Sequence, residues 1–208
     1  MIIAVDGPAA SGKGTIAREL AAHFALAWLD TGLLYRAVGV SVMRAEEDPD
    51  DPDAALAGCD FADDLLEDSE LRSERAGNYA SRVSVHPAVR AALVERQERF
   101  ANQPGGAVLD GRDIGTVIAP HADAKLFVTA SAEARADRRF ADEVESNPDA
   151  DRDAILADIE ARDERDSERA SAPLKRADDA DLLDTTNLTI SAAVQRAIAL
   201  VEARTGKR

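Results

Sequence analysis

Nine residues near the start of the chain, Gly7-Pro-Ala-Ala-Ser-Gly-Lys-Gly-Thr15, have the types and spacing to hold a polyphosphate. They fit Gly-x-x-x-x-Gly-Lys between a strand and a helix, the context a phosphate loop requires. Glycines let backbone N–H groups turn inward, and the helix N-terminus adds partial positive charge. Lys13 neutralises the terminal phosphates. The general pattern puts Ser or Thr directly after the lysine. Here Gly14 takes that place and the hydroxyl follows at Thr15. Thr15 is therefore a candidate contact for Mg²⁺, with the metal held chiefly through phosphates and waters.

Two other groups carry chemistry. Asp110-Gly-Arg-Asp113 follows an apolar run, and ligands of open α/β sheets bind beyond strand carboxyl ends. Asp110 is the candidate to organise Mg²⁺ and its waters. Arg112 and Asp113 are candidates for a second ligand. Further on, Ile155, Ile159, Arg162, Asp166 and Arg169 recur at steps of 4, 3, 4 and 3. That spacing predicts one helical face turning from core to cleft. Arg162 and Arg169 would meet phosphate or base there, and Asp166 would hold them or accept from a hydroxyl. The competing reading is a surface salt-bridge ladder, contributing only about 0.3–0.5 kcal/mol per pair.

Positioning these groups takes strands alternating with helices. Ile2–Val5, Ala27–Leu29, Ala107–Leu109, Lys125–Thr129 and Leu182–Leu183 read as strands. Helices are expected after the loop through Phe24, from Thr31 (as N-cap) through Val42, over about 132–145 and 151–171, and from Ile190 through Val201. A break at Ser146-Asn-Pro-Asp149 separates the middle pair. Residues 46–53, with six acids and two prolines, read as a solvated linker. The stretch 54–104 reads as a helical insertion, with Pro87 in a first turn. Strand–helix alternation implies a parallel sheet covered on both faces.

Composition sets the outer bounds. The 208 residues suit one α/β domain. Formal charge is −15, which argues against general nucleic-acid or anionic-membrane binding. Twenty-one of the 25 basic residues are Arg, whose guanidinium fork fits phosphate. The single cysteine, Cys59, excludes an internal disulfide or cysteine-rich zinc site. No membrane span or secretory signal is visible, so a soluble cytoplasmic protein is expected.

Taken together and in order, Gly7–Thr15, Leu29-Asp-Thr-Gly-Leu-Leu-Tyr-Arg36, Asp110-Gly-Arg-Asp-Ile-Gly-Thr-Val117 and Arg162-Asp-Glu-Arg-Asp166 through Arg169-Ala-Ser-Ala-Pro-Leu174 resemble bacterial cytidylate kinases from end to end. The resemblance implies an α/β phosphate-loop NTPase fold of three layers, with a five-stranded parallel sheet, a helical acceptor-binding insertion and a mobile lid. The core would be 1–39 and 105–208, the insertion 40–104 and the lid 140–160. It implies transfer of the ATP γ-phosphoryl group to CMP or dCMP, with Mg²⁺, and a monomer. Gly7, Pro8, Ala9, Ala10, Ser11, Gly12, Lys13, Gly14 and Thr15 would hold the ATP phosphates. Arg36, Arg90, Arg112 and Arg162 match positions near the acceptor phosphate. Ser81 and Asp166 match positions near the sugar, and Asp113 and Arg169 near the cytosine. Thr31 stands where other members carry Ser and keeps the hydroxyl. Arg138 and Arg139 fall where lid arginines close over the transferring group. Another small phosphate-loop kinase, acting on UMP, AMP or a metabolite, is the alternative.

Phosphoryl transfer between nucleotides depends on positioning and neutralisation, so Lys13, Asp110, Arg112 and Arg162 are the catalytic candidates. The acceptor is already an oxyanion near neutral pH. No general base is needed, in keeping with His23, His86 and His121 lying in unrelated contexts. Cytosine carries an amine donor where uracil carries an acceptor, so Asp113 and the Thr31 hydroxyl would favour cytosine. An opposed buried acceptor costs on the order of 1–3 kcal/mol, or roughly tenfold discrimination or more. Asp113→Ala is expected to lower CMP turnover far more than ATP affinity; an unchanged CMP-to-UMP preference in that variant removes Asp113 from the role.

Overall fold

Five short apolar runs pair in parallel, in the order β2-β3-β1-β4-β5. In this computed structural model, which describes residues 1–145 and 147–207, they are β1 (Ile2–Asp6), β2 (Ala27–Asp30), β3 (Ala107–Gly111), β4 (Ala124–Thr129) and β5 (Asp181–Asp184). The helices are α1 (Lys13–Phe24), α2 (Thr31–Arg44), α3 (Pro52–Ala57), α4 (Glu74–Val83), α5 (Pro87–Ala101), α6 (Ala132–Val144), α7 (Arg152–Glu168) and α8 (Ile190–Thr205). The fold is α/β, an all-parallel five-stranded sheet with helices packed on it.

Strand alternation builds the three layers. Ile3, Val5, Val108, Leu126 and Val128 pack with Ile16 and Leu20 of α1 and Ala193, Ala197 and Val201 of α8. Ala4, Ala107 and Leu109 project to the other face, onto Ala101 of α5 and the turn at Ile114–Ile118. Side chains with period two thus serve opposite layers. Between residues 45 and 106 no described residue is in a strand. There Val83, Val89 and Leu93 close a separate apolar cluster on Leu34, Val38 and Val42 of α2.

Local chemistry corrects several sequence expectations. Thr31 is not the N-cap of α2. Asp30 is: its carboxylate accepts from Gly32 N–H at 2.9 Å. Thr31 is already helical, which frees its hydroxyl to donate to Asp110 O at 2.8 Å. The helix expected over 151–171 stops at Glu168, because Arg169 turns extended (φ −52°, ψ 130°) and Leu174 N–H bonds Asp166 O at 2.7 Å. The acidic segment 46–53 is more tied down than a solvated linker. Arg82 donates to Asp48 and to Asp50, Pro49 is buried, and α3 begins at Pro52 with Asp51 as its cap. Of the expected break at 146–149, Ser146 lies outside the described residues; Asn147 N–H bonds Glu143 O at 2.9 Å.

Gly7 leads β1 into the loop where β4 passes closely. A methyl at Gly7 would sit 1.9 Å from Val128 O, an overlap only backbone movement relieves. Overpacking of this kind costs about 1–3 kcal/mol or more. Gly7→Ala is therefore expected to lower the urea unfolding midpoint clearly, whereas the same change at exposed Gly105 carries the strain of its φ of 96° but meets no neighbour within 4 Å, and so costs less.

Candidate active site

The phosphate loop owes its shape to what holds its carbonyls. Ala9 O accepts from Arg135 Nη1 at 3.2 Å, and Ser11 O accepts from the Thr185 hydroxyl at 3.0 Å. Ala10 takes a left-handed conformation (φ 57°), and so does Gly12 (φ 85°), where no Cβ resists it. Gly12 caps α1 without a side chain, so no side-chain oxygen competes for the first-turn N–H groups. Ser11 Oγ is buried with no protein partner. An anion at this helix start answers both the free N–H groups and the helix dipole.

Lys13 opens α1 and is half-buried. Burial, then the nearby Arg112 and Arg162, lower its pKa against the pull of Asp110 and Asp30. Asp110, the last but one residue of β3, is 2% exposed. Burial and the neighbouring Asp30 raise its pKa, opposed by Lys13 and by a 2.9 Å bond from Trp28 Nε1. A larger cavity of about 460 Å³ lies on the loop's other side. Ala10, Ser11, Gly12 and Thr15 line it, with Arg138, Arg139 and the start of α8. Arg138 donates to Thr185 O at 2.5 Å, and Arg139 joins Glu74 of α4 to Asp158 of α7.

A second cleft opens beyond β3. Thr31, Arg36, Ser81, Arg90, Arg112, Asp113, Arg162, Asp166 and Arg169 all line it. Thus every residue expected to face the acceptor is brought to one place, from α2, α4, α5, the β3 end and α7. Arg169 reaches the cleft although it lies past the helix end. Asp166 accepts from Arg112 Nε at 2.8 Å and lies 3.4 Å from Arg169 Nη2. Burial raises the cost of the Asp166 charge, but Arg112, Arg169 and Arg162 outweigh it and hold its pKa down. Arg162 is pushed down to about 10 by burial and then by Arg112. Its Nε is buried without a partner, and so is Arg169 Nη2 as a hydrogen-bond donor. Arg36 donates to Leu71 O at 2.7 Å and Ser73 O at 3.0 Å, which steers it over Gly77.

Arg90 lines the cleft with a partner already in place. It forms a buried ion pair with Asp113 and lies over the Tyr35 ring at 5.6 Å, so its guanidinium is committed beside Asp113. Removing Asp113 would leave that charge buried and unpaired, a strongly destabilising change.

The residues quoted from the four motifs fall in sequence stretches shared with known proteins. The family model described as "Cytidylate kinase" matches residues 3–203. The chain belongs to the cytidylate kinase family. A relative from Xanthobacter autotrophicus named "Cytidylate kinase" is 55% identical over 208 residues, covering 100% of both chains. Another of that name, from Cereibacter sphaeroides, is 57% identical over 202 residues, 97% of this chain and 95% of the relative. An uncharacterised protein from Eubacterium ventriosum shares the fold at 15% identity and TM-score 0.59, covering 98% of this chain and 99% of its own.

Several contributors escaped sequence reasoning. Arg135 ties the loop to Asp163 of α7 at 2.5 Å, and Arg165 Nε donates to the Ser81 hydroxyl at 3.2 Å. Asp6 is buried at the end of β1, where its two oxygens accept from Ile114 and Gly115 N–H at 2.8 and 2.7 Å. That fixes the turn following Asp113. Only the acid's place at a strand end signalled it.

Burial pushes Asp6 up to about 7, against those two N–H bonds. The folded value lies above the ordinary 3.8, so the folded state keeps a proton the unfolded chain gives up. The resulting stabilisation is complete below the unfolded value and is lost as pH rises through about 7. Compared with Asp6→Asn, which cannot titrate, the native chain is expected to lose stability in urea melts between about pH 4 and about pH 7. Parallel curves for the two proteins would mean that Asp6 stays ionised throughout.

Proposed function

We propose that the protein transfers the γ-phosphoryl group of ATP to CMP or dCMP, giving ADP and CDP or dCDP. The observation that carries this reading is a pair of buried guanidinium nitrogens without a hydrogen-bond acceptor, Arg162 Nε and Arg169 Nη2 (the latter 3.4 Å from Asp166), in a cleft adjoining Lys13. Buried donors without partners are costly, and a nucleotide's phosphate and base supply the acceptors.

On this reading the Gly7–Thr15 loop and Lys13 hold the ATP phosphates, and the cavity beside α8 takes the rest of that nucleotide. Arg36, Arg112 and Arg162 hold the acceptor phosphate. Ser81 and Asp166 hold the sugar. Thr31, Asp113 and Arg169 meet the cytosine. The Thr31 hydroxyl proton is already spent on Asp110 O, so its oxygen is left to accept from the cytosine amine. Arg90 acts by pairing with Asp113. Arg112 and Arg162 lie close enough to depress Lys13, so the three cations share one field. That field stabilises charge on a phosphoryl group passing in line between the nucleotides. Neither a general base nor a covalent intermediate is required.

The donor set suits Mg²⁺. Among the described residues no group of three or more His, Cys, Asp or Glu forms a cage of its own. One buried carboxylate, Asp110, and one hydroxyl, Thr15, beside a phosphate loop match a cation that keeps waters and takes phosphate oxygens. Asp110 and Thr15, with the ATP phosphates and waters, would hold it, and it would offset phosphate charge. The segment 40–104 serves as the acceptor insertion and 140–160 as the lid, with Arg138 and Arg139 at its base. A monomer acting in the cytoplasm is the family expectation. No described helix is long and apolar enough to cross a membrane.

Initial rates of ADP release with CMP, dCMP, UMP and AMP side by side test the proposal. Expected are kcat/KM values for CMP and dCMP roughly tenfold or more above UMP, with AMP poor. Equal rates with UMP or AMP, or no ADP with CMP, would overturn it.

A further inference from the structure

The chain contains one tryptophan, and it touches the site from an unexpected direction. Trp28 lies on β2, the sheet's edge strand, in register with Val108 of β3. Asp110 is two residues further along β3, so the two side chains project from the same face. Trp28 Nε1 donates to Asp110 Oδ1 at 2.9 Å. The other oxygen, Oδ2, points at the phosphate loop: a methyl on Gly14 would lie 3.6 Å from it. Asp110 is 2% exposed, whereas Trp28 is 37% exposed. The indole therefore pins one oxygen from the solvent side while the second faces the loop.

We propose that Trp28 is a positioning residue for Asp110: its indole N–H fixes the carboxylate so that Oδ2 is presented to the Mg²⁺–nucleotide phosphates at Gly14. This rests on the reading that Asp110 faces those phosphates. A carboxylate's terminal torsion is broad, so without a fixed partner its oxygens sweep a range of directions. An N–H bond to a charged carboxylate is among the stronger hydrogen bonds and is directional. Asp30 lies near enough to repel Asp110, and Lys13 attracts it. The indole decides which oxygen each of these meets. Trp28 adds no ligand of its own; it narrows the orientations of one.

Trp28→Phe keeps the ring and removes the donor, on an edge strand where the ring is partly exposed. Its thermal midpoint is expected to fall modestly, because Asp110 Oδ1 loses a buried donor, while the fold is kept. The Mg²⁺ concentration for half-maximal rate is expected to rise about fivefold or more, with KM for CMP within about twofold. Paired with Asp110→Asn, the loss should not add: the double variant is expected to be no worse than Asp110→Asn alone, because Trp28 acts only through that carboxylate. A second readout needs no turnover. In the native chain, indole fluorescence is expected to change when Mg²⁺ joins a non-hydrolysable ATP analogue. In Asp110→Asn that metal-dependent part is lost.

An unchanged Mg²⁺ requirement in Trp28→Phe, or losses that multiply with Asp110→Asn, would overturn the proposal while leaving CMP phosphorylation in place. A metal-dependent indole response in a protein that does not phosphorylate CMP would instead support Trp28's role and overturn the acceptor assignment.

Discussion

Arg112, Arg162 and Arg169 stand in one cleft, and Asp166 is the carboxylate they share. It accepts from Arg112 at 2.8 Å and sits 3.4 Å from Arg169, leaving the positive charge undercompensated. Burying charge is costly unless each ion is paired and its hydrogen bonds are met. Here Arg162 Nε and Arg169 Nη2 are not met. On the proposed reading, the phosphate and base of the acceptor nucleotide supply what is missing. Burial, and then repulsion by Arg112, lower the pKa values of Lys13 and Arg162, so an anion placed among them would favour their charged forms. Distant acidic residues, though they make the whole chain strongly negative, are screened from this cluster.

Holding the cations apart takes rigid supports. Arg135 is 3% exposed and joins Ala9 O of the phosphate loop to Asp163 on α7. Asp163 follows Arg162 directly, so one partly buried ion pair ties the phosphate loop to the helix that carries Arg162. Asp6 does similar work at the centre of the sheet, tying the end of β1 to the turn after Asp113 through two backbone N–H groups. Thr31 spans β3 and α2 by bonding Asp110 O. Each link runs across strand carboxyl ends, where an open parallel sheet leaves its crevice.

Much of the fold could be read from local pattern. Apolar runs of two to five residues marked each strand, and every one appears within two residues of its expected span. Helix existence was equally legible; helix ends were not. Thr31 and Asp30 are both good caps by type, and only the Asp30 bond to Gly32 N–H distinguishes them. Nothing in the composition near Arg169 announces the turn that ends α7 there. The acidic segment 46–53 reads as solvated because its partner, Arg82, lies more than thirty residues away. His86 reaches Pro49 O across a similar gap, which no spacing rule anticipates.

Sequence alone determined which residue types were present and their local periodicity: a glycine-rich turn with Lys13, an acid at a strand end, and arginines spaced along one face. Those are short-range properties, set by backbone sterics and side-chain repeat. Tertiary structure decided which charges became partners. Arg90 went to Asp113, Arg112 to Asp166, and Trp28 to Asp110 across 82 positions. Such pairings depend on strand order and helix packing, and those follow from burying apolar faces over the whole chain rather than from any neighbouring residue.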